Sequence, residues 1–287
     1  MMFKGCGTAL VTPFRTDGSV DYEAYARLVD RQVEGGVDFL VPLATTGETP
    51  TLSAEEKRQL LTLTDEHSKG LPLLVGCGSN SVNGTLANMK ALEGLRVDAW
   101  LVVVPFYNKP TQEGQFRYFQ AVASQADKPI VIYNVPGRTG ANMQADTCLR
   151  IAKEVPGIIG VKEASGKLDQ VCDILRDAPE GFALLSGDDD MTLDMMRHGA
   201  KGVISVASNI RPAEVREMVH KALEQDFDAA QMLDAPLQPL YKACFVEPNP
   251  IPAKAALNVL GLCTAEMRLP LVTATESTFN LMRSILK

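Results

Sequence analysis

A lysine ends one of the apolar runs of this chain. The run Ile158–Lys162 contains a glycine, and small residues follow soon after it, which is typical of a buried strand. A lysine at the mouth of such a strand is partly desolvated, and desolvation favours the neutral amine over the ammonium. A neutral amine attacks a carbonyl carbon and forms a Schiff base. Lys162 is therefore a candidate nucleophile, the alternative being a surface lysine with its head in water.

Two further candidate side chains lie within or just after the preceding apolar run, Ile130–Asn134. Tyr133 would transfer a proton to Lys162 or its adduct if the two runs are neighbouring strands. The alternative is a buried tyrosine whose hydroxyl is satisfied elsewhere. Arg138 lies in a loop framed by proline and glycine, which suits a bidentate clamp on a carboxylate, or else it is a solvated surface arginine.

Hydroxyl and carboxyl groups follow other apolar runs. Thr45 and Thr46 offer hydroxyls and backbone donors that would bind a carboxylate, or alternatively cap a helix. The acidic run Asp188–Asp190 is interpreted as a helix start favoured by the helix dipole, because three adjacent carboxylates point in different directions and make a poor magnesium site.

The elements that must position these residues alternate along the chain. Eight strands are predicted: Gly7–Val11, Phe39–Pro42, Pro72–Gly76, Ala99–Val104, Ile130–Asn134, Ile158–Lys162, Ala183–Ser186 and Gly202–Ser205. Helices are predicted between them at Tyr22–Glu34, Ala54–Ser68, Val82–Leu95, Gln112–Ala126, Gln144–Glu154, Leu168–Asp177 and Met191–His198.

This alternation predicts an α/β protein with a (β/α)8 barrel over residues 1–209 that carries the site. A doubly wound open sheet is the alternative, but its phosphate-binding fingerprint fails because Leu10 follows Gly5 and Gly7 where a third glycine belongs. Residues 210–287 are predicted to be an appended helical region packed on the barrel, broken by several prolines. In such a barrel the carboxyl ends of the strands converge on one site.

Composition excludes several classes of function. The chain has 287 residues and a net charge of −7, which argues against non-specific binding to nucleic acid or anionic membranes. Its six cysteines lack metal-binding or redox spacing, and its three histidines lie far apart, so no metal site is predicted. No apolar run approaches membrane-spanning length, and the first residues lack signal-peptide features, so a cytoplasmic protein is expected.

The ordered motifs resemble the dihydrodipicolinate synthase and N-acetylneuraminate lyase family of class I pyruvate-dependent lyases. The matching segments are Thr45–Glu48, Tyr133–Pro136 and Val161–Glu163, and the resemblance runs the length of the barrel. The threonine pair and the segment Gly137–Gly140 resemble the synthase branch of the family. The function that this resemblance implies is condensation of pyruvate with L-aspartate 4-semialdehyde, in the diaminopimelate route to lysine.

The resemblance also implies a mechanism. Lys162 forms an imine with the ketone of pyruvate, the imine loses a methyl proton to give an enamine, and the enamine attacks the aldehyde. The substrate amine then closes the ring and displaces Lys162. Tyr133 moves protons in these steps, and no metal or organic cofactor is needed, because the covalent imine on Lys162 is itself the electron sink.

The remaining roles follow from the same resemblance. Thr46 links Tyr133 to Tyr107, which in the family completes the hydroxyl relay of a neighbouring subunit. A homodimer is then the minimal active unit, and a homotetramer, a dimer of dimers, is expected.

Four residues are expected to bind the substrates. In the family resemblance Thr45 holds the pyruvate carboxylate, Arg138 holds the carboxylate of the semialdehyde, and Gly187 and Ile204 line the pocket with backbone groups.

This sequence departs from the family pattern at the feedback site. Members inhibited by lysine usually have histidine, glutamate and tyrosine where Ala54, Gly84 and Phe106 stand here, although Asn80 is suitable. Loss of a carboxylate partner costs about 1–3 kcal/mol of binding, so weak or absent inhibition by lysine is expected. Ala44 also stands where glycine is usual, a small change that should leave catalysis intact.

Two other functions stay open. A sister lyase acting on a sugar acid, such as N-acetylneuraminate or a 2-keto-3-deoxy acid, would share Lys162 and Tyr133 but need hydroxyl-binding groups in place of the Arg138 clamp. A non-catalytic barrel that binds a keto acid is the third reading, and failure of borohydride to trap pyruvate on Lys162 would favour it.

Overall fold

The computed structural model describes residues 2–287, so Met1, with which the predicted barrel begins, lies outside the described residues. Eight strands form one parallel sheet, as predicted. They are β1 Gly5–Ala9, β2 Phe39–Val41, β3 Leu74–Gly76, β4 Ala99–Val103, β5 Ile130–Asn134, β6 Ile158–Glu163, β7 Ala183–Ser186 and β8 Gly202–Ser205.

Helices follow the strands. They are α1 Tyr22–Glu34, α2 Ala54–His67, α3 Val82–Ala91, α4 Gln112–Ala123, the one-turn α5 Pro136–Thr139, α6 Ala145–Glu154, α7 Leu168–Asp177, α8 Thr192–Arg197 and α9 Pro212–Leu223. A capping box begins α2, because the Ser53 hydroxyl accepts from the Glu56 amide and the Glu56 carboxylate accepts from the Ser53 amide.

The sheet closes into a barrel. Its strand order is β2-β1-β8-β7-β6-β5-β4-β3, and a parallel bridge between Leu40 and Leu73 joins the two ends. The Leu40 amide donates to the Pro72 carbonyl at 2.9 Å, and the Gly76 amide donates to the Pro42 carbonyl at 3.0 Å. The (β/α)8 barrel is therefore confirmed, and the open-sheet alternative is wrong.

Two apolar clusters hold the barrel. The inner cluster fills the lumen with side chains from several strands, including Phe39, Val131, Tyr133 and Ile204. The larger outer cluster lies between the strands and the surrounding helices. Successive side chains along a strand point to opposite faces of the sheet. Some residues therefore point into the lumen, and their neighbours point towards the helices.

Four helices follow α9: α10 Phe227–Asp234, α11 Gln238–Ala243, α12 Ile251–Val259 and α13 Glu276–Ile285. Helix α11 contacts the short turn after β7, and α12 contacts the turn after β8. The C-terminal helices therefore lie beside the carboxyl ends of two barrel strands. Helix α9 packs against β1 and β8. The boundary predicted at residue 209 therefore separates β8 from a helix that packs on it. The division of the chain into two parts stays a prediction.

Within residues 2–287, the helices are too short or too polar to cross a membrane. The six cysteines are free, and four of them are buried.

Candidate active site

Lys162 and Tyr133 are cross-strand neighbours at the carboxyl ends of β6 and β5. Lys162 is 4% exposed and Tyr133 is 7% exposed. The Lys162 Nζ lies 4.4 Å from the centre of the Tyr133 ring. The sheet register therefore brings the candidate nucleophile and the candidate proton carrier together at the end of the lumen.

Gly187 and Ile204 lie on the other side of the lysine. A Cβ atom on Gly187 would be 2.9 Å from the Lys162 Cε and 2.7 Å from the Ala164 Cβ, so only glycine leaves room for the lysine side chain here. Ile204 is buried in β8 and belongs to the lumen cluster. Both predicted lining residues thus lie at the strand ends, and Gly187 lies directly against Lys162.

Thr45 and Thr46 form a tight turn, Thr45–Gly47, after β2. Thr46 is 2% exposed, whereas Thr45 is partly exposed. The Thr46 hydroxyl accepts a hydrogen bond from the Asn249 Nδ2 at 3.0 Å. Within the part of the chain that the structure describes, no hydrogen bond joins Thr46 to Tyr133, so the proposed hydroxyl relay stays a prediction.

Tyr107 stands apart from the other candidates. It is 87% exposed, and its backbone has the left-handed φ of 72°. Its amide donates to the Thr139 carbonyl at 3.3 Å, which ties the loop after β4 to α5. The single chain therefore directs this aromatic side chain outward.

Arg138 is exposed on α5, and its Nη2 donates to the Asn249 carbonyl at 3.2 Å. Asn249 is 5% exposed, and its side-chain Oδ1 has no hydrogen-bond partner among the described residues. Asn249 thus contacts both Thr46 and Arg138, and sequence reasoning missed it. It lies 203 residues from Thr46, and its only sequence signal is a place between Pro248 and Pro250.

Glu163 follows Lys162 but serves the opposite face of β6. Its carboxylate accepts from the Asn134 Nδ2 at 3.0 Å, the Ser165 amide at 2.8 Å and the Gln170 Nε2 at 3.1 Å. Burial raises the pKa of Glu163, although these hydrogen bonds act in the opposite direction. The carboxylate therefore ties β5, β6 and α7 together behind the site.

The acidic run after β7 separates into distinct environments. Burial raises the pKa of Asp188 to about 6, and the neighbouring Lys162 acts in the opposite direction. Asp189 is buried and accepts from the amides of Val206 and Ala207 at 2.9 and 3.0 Å, which links the turn after β7 to the turn after β8. Asp190 is exposed. Across residues 2–287, no three His, Cys, Asp or Glu side chains gather as metal ligands would.

This arrangement suits carbonyl chemistry. A buried primary amine, an adjacent phenol and a turn rich in hydroxyl and amide donors all lie at the carboxyl ends of barrel strands. The amine is placed to add to a carbonyl, the phenol to exchange a proton with the adduct, and the turn to hold an anionic group.

Two full-length relatives of this chain share one name. The chain is 46% identical over 285 residues to the 4-hydroxy-tetrahydrodipicolinate synthase of Parabacteroides distasonis, covering 99% of this chain and 96% of the relative. It is 43% identical over 290 residues to the synthase of the same name from Thermotoga neapolitana, covering 100% and 98%.

Solved structures agree. The dihydrodipicolinate synthase of Thermotoga maritima superimposes with a TM-score of 0.97 at 43% identity, over 100% of this chain and 98% of that one. The Acinetobacter baumannii enzyme, solved in complex with pyruvate, superimposes with a TM-score of 0.96 at 37% identity, over 99% and 97%. The model of the Dihydrodipicolinate synthetase family matches residues 2–287. With the barrel, the buried lysine and these full-length matches in agreement, the chain belongs to the dihydrodipicolinate synthetase family.

Proposed function

We propose that this chain is a lyase that acts as a 4-hydroxy-tetrahydrodipicolinate synthase and condenses pyruvate with L-aspartate 4-semialdehyde through an imine on Lys162. The observation that carries the proposal is the buried Lys162 amine beside Tyr133, in a chain whose full-length relatives bear this name. A sister lyase would share the lysine and tyrosine, but the relatives support the synthase.

The chemistry begins at the Lys162 amine. Its nitrogen adds to the ketone carbon of pyruvate to give a carbinolamine, and loss of water leaves the imine. Loss of a methyl proton then gives the enamine, whose carbon attacks the aldehyde of the semialdehyde. Attack by the substrate amine on the imine carbon closes the ring and releases Lys162 as the free amine. Tyr133, packed against Lys162, is placed to carry the protons.

The remaining residues bind and orient the substrates in this proposal. The Thr45–Gly47 turn holds the pyruvate carboxylate through hydroxyl and amide donors. Arg138, exposed at the mouth, holds the carboxylate of the semialdehyde, and Gly187 and Ile204 line the pocket.

Location and assembly complete the proposal. The enzyme works in the cytoplasm in this proposal, and its six free cysteines support a reducing compartment. Its assembly is a homotetramer, a dimer of dimers in which Tyr107 serves a neighbouring site.

The decisive variant is Lys162→Ala. We expect it to lose turnover of pyruvate and aspartate 4-semialdehyde, measured by coupling to dihydrodipicolinate reductase and following NADPH loss. It should also lose the pyruvate adduct that borohydride reduction leaves on the parent protein, detected by mass spectrometry. Lys153→Ala, which removes an exposed lysine of α6, is the matched control and should keep both signals. A folded parent that neither turns over nor traps pyruvate would overturn the proposal.

A further inference from the structure

Two fully buried charges lie outside the site described so far. Lys254 of α12 and Glu48, the residue after the Thr45–Gly47 turn, form an ion pair with both side chains 0% exposed. The Lys254 Nζ lies 2.5 Å from the Glu48 Oε1. Burial of a charged pair carries a desolvation penalty, and apolar replacements of such pairs are often at least as stable. Stability alone is therefore a poor explanation for this pair.

Each charge has a second partner. The Lys254 Nζ donates to the Glu266 carbonyl at 2.8 Å and lies 4.0 Å from the centre of the Phe14 ring. The second carboxylate oxygen of Glu48 accepts from the Arg268 amide at 3.2 Å. The pair is thus fixed on both sides by the C-terminal segment.

Glu48 has an unusual backbone for a residue with a side chain. Its φ is 51°, in the left-handed region, and its amide donates to the Thr45 carbonyl at 3.1 Å to close the turn. A residue other than glycine stays in this region when its surroundings hold it there. The contacts of the Glu48 carboxylate with Lys254 and Arg268 restrain its backbone in this way. Glu48 is also the residue that closes the Thr45–Gly47 turn.

The segment just before α12 makes a second contact with the same turn. Asn249 donates to the Thr46 hydroxyl at 3.0 Å and accepts from Arg138 at 3.2 Å. Residues 249–254 therefore reach the turn at Thr46 and at Glu48, on either side of Gly47.

We propose that Lys254 and Glu48 are positioning residues, whose buried ion pair holds the Thr45–Gly47 turn where it receives the pyruvate carboxylate. The C-terminal helix α12 is then part of the binding site although its lysine does not touch the substrate. This inference rests on the proposed function, because it assigns a support to the pyruvate subsite of that same reaction.

The test removes the ion pair without leaving one charge buried alone. The double variant Glu48→Leu/Lys254→Met replaces the pair with apolar groups, so no buried charge is left alone and the variant should still fold. We expect its KM for pyruvate to rise at least about 10-fold while its KM for aspartate 4-semialdehyde changes less than about 2-fold, because only the pyruvate subsite loses its support.

The matched control is Glu56→Gln. It breaks the neighbouring half-buried pair with Arg268, whose side chain lies against the same Phe14 ring, but Glu56 belongs to α2 rather than to the threonine turn. It should lower the melting temperature and leave the KM for pyruvate unchanged.

Three outcomes are informative. A double variant with the parent KM for pyruvate overturns the positioning role, as does a control variant that raises this KM equally. A parent protein that leaves no borohydride-trapped pyruvate on Lys162 overturns the proposed function instead, so the two failures are distinguishable.

Discussion

At the scale of single residues, the register of β5 and β6 is what converts a lysine and a tyrosine 29 positions apart into neighbours. Sequence reasoning predicted this pair because parallel strands that follow one another align their carboxyl ends. It could not find Asn249, because a contact between residues 203 positions apart depends on how the C-terminal segment folds back. The positions of these candidate residues at the strand ends were predictable, whereas the contacts that support them were not.

Asp188 has a raised pKa that lies within the pH range in which unfolding is readily measured. Burial raises its pKa from 3.8 to about 6, so the native state binds this proton more tightly than the unfolded chain. The stability contributed by this group therefore falls as the pH rises from about 4 to about 6, and at higher pH the charged carboxylate is a cost.

We expect Asp188→Asn to raise the free energy of unfolding by about 1–3 kcal/mol at pH 8, and by less at pH 5. Urea denaturation at the two pH values measures this difference. Asp190→Asn, at an exposed neighbour, should change stability by only a few tenths of a kcal/mol at either pH. An equal gain at both pH values for Asp188→Asn would contradict the assignment.

At the scale of elements, periodicity located the strands and helices but not every end. Helices α1 and α7 have the predicted bounds, while α3 ends at Ala91 rather than Leu95 because the chain turns before Gly94, whose φ is 83°. Strand β1 covers Gly5–Ala9 rather than Gly7–Val11. Leu10 and Val11 continue the apolar run and are buried, but the Val11 amide donates to the Asn209 side chain instead of a neighbouring strand. An apolar run predicts which residues are buried. Where a strand ends depends on its backbone hydrogen bonds, which cannot be read from the sequence.

The end of β7 provides a test of how closely the elements confine Lys162. In Gly187→Ala, the added methyl group would overlap the Lys162 side chain and the Ala164 Cβ, and of these only the lysine can move away. We expect the rate of borohydride-trapped imine formation at sub-saturating pyruvate to fall at least about 10-fold, since displacement of a reacting group by about 1 Å costs about that much or more.

Gly137→Ala is the control for this substitution. Its added methyl group meets no atom within 4 Å, so imine formation should keep the parent rate. A parent-like rate in Gly187→Ala would show that the lysine has more room than the structure gives it.

At the scale of the whole molecule, three residues away from the lumen bear on whether lysine inhibits the enzyme. Gly84 lies near the start of α3, where an added Cβ would be 2.5 Å from the Ser79 hydroxyl, so the glutamate usual in lysine-inhibited members of the family would require that hydroxyl to move. Ala54, at the start of α2, lacks the imidazole of the usual histidine. Phe106 is 40% exposed and lacks the hydroxyl of the usual tyrosine.

We therefore expect sub-millimolar lysine to leave turnover in the coupled assay essentially unchanged, because binding of the ligand ammonium would lack about 1–3 kcal/mol from its carboxylate partner. A lysine-sensitive synthase assayed alongside shows that the assay detects inhibition. Half-maximal inhibition of this chain at sub-millimolar lysine would refute the expectation.

Subunit assembly would account for the position of Tyr107. A tyrosine that is 87% exposed and held at a left-handed φ of 72° costs backbone energy, on the order of 1–2 kcal/mol, without contributing to the core of its own chain. A role across a subunit interface would explain the outward placement, since the barrel end is otherwise complete within one chain. If Tyr107 serves the neighbouring site, two inactive variants should complement each other.

In a hybrid dimer of Tyr107→Phe and Lys162→Ala subunits, one site would contain Lys162 together with the partner's intact tyrosine, and the other site would lack both. We expect co-expressed, doubly tagged hybrids to regain about half of the parent turnover per dimer, because one of the two symmetric sites is restored. If Tyr107 acted within its own chain, each site of the hybrid would lack one group, and turnover would stay at the mean of the two variants. Sedimentation of the purified hybrid verifies that the subunits are associated during the assay. The outcome thus decides whether one chain holds a whole active site or only most of one.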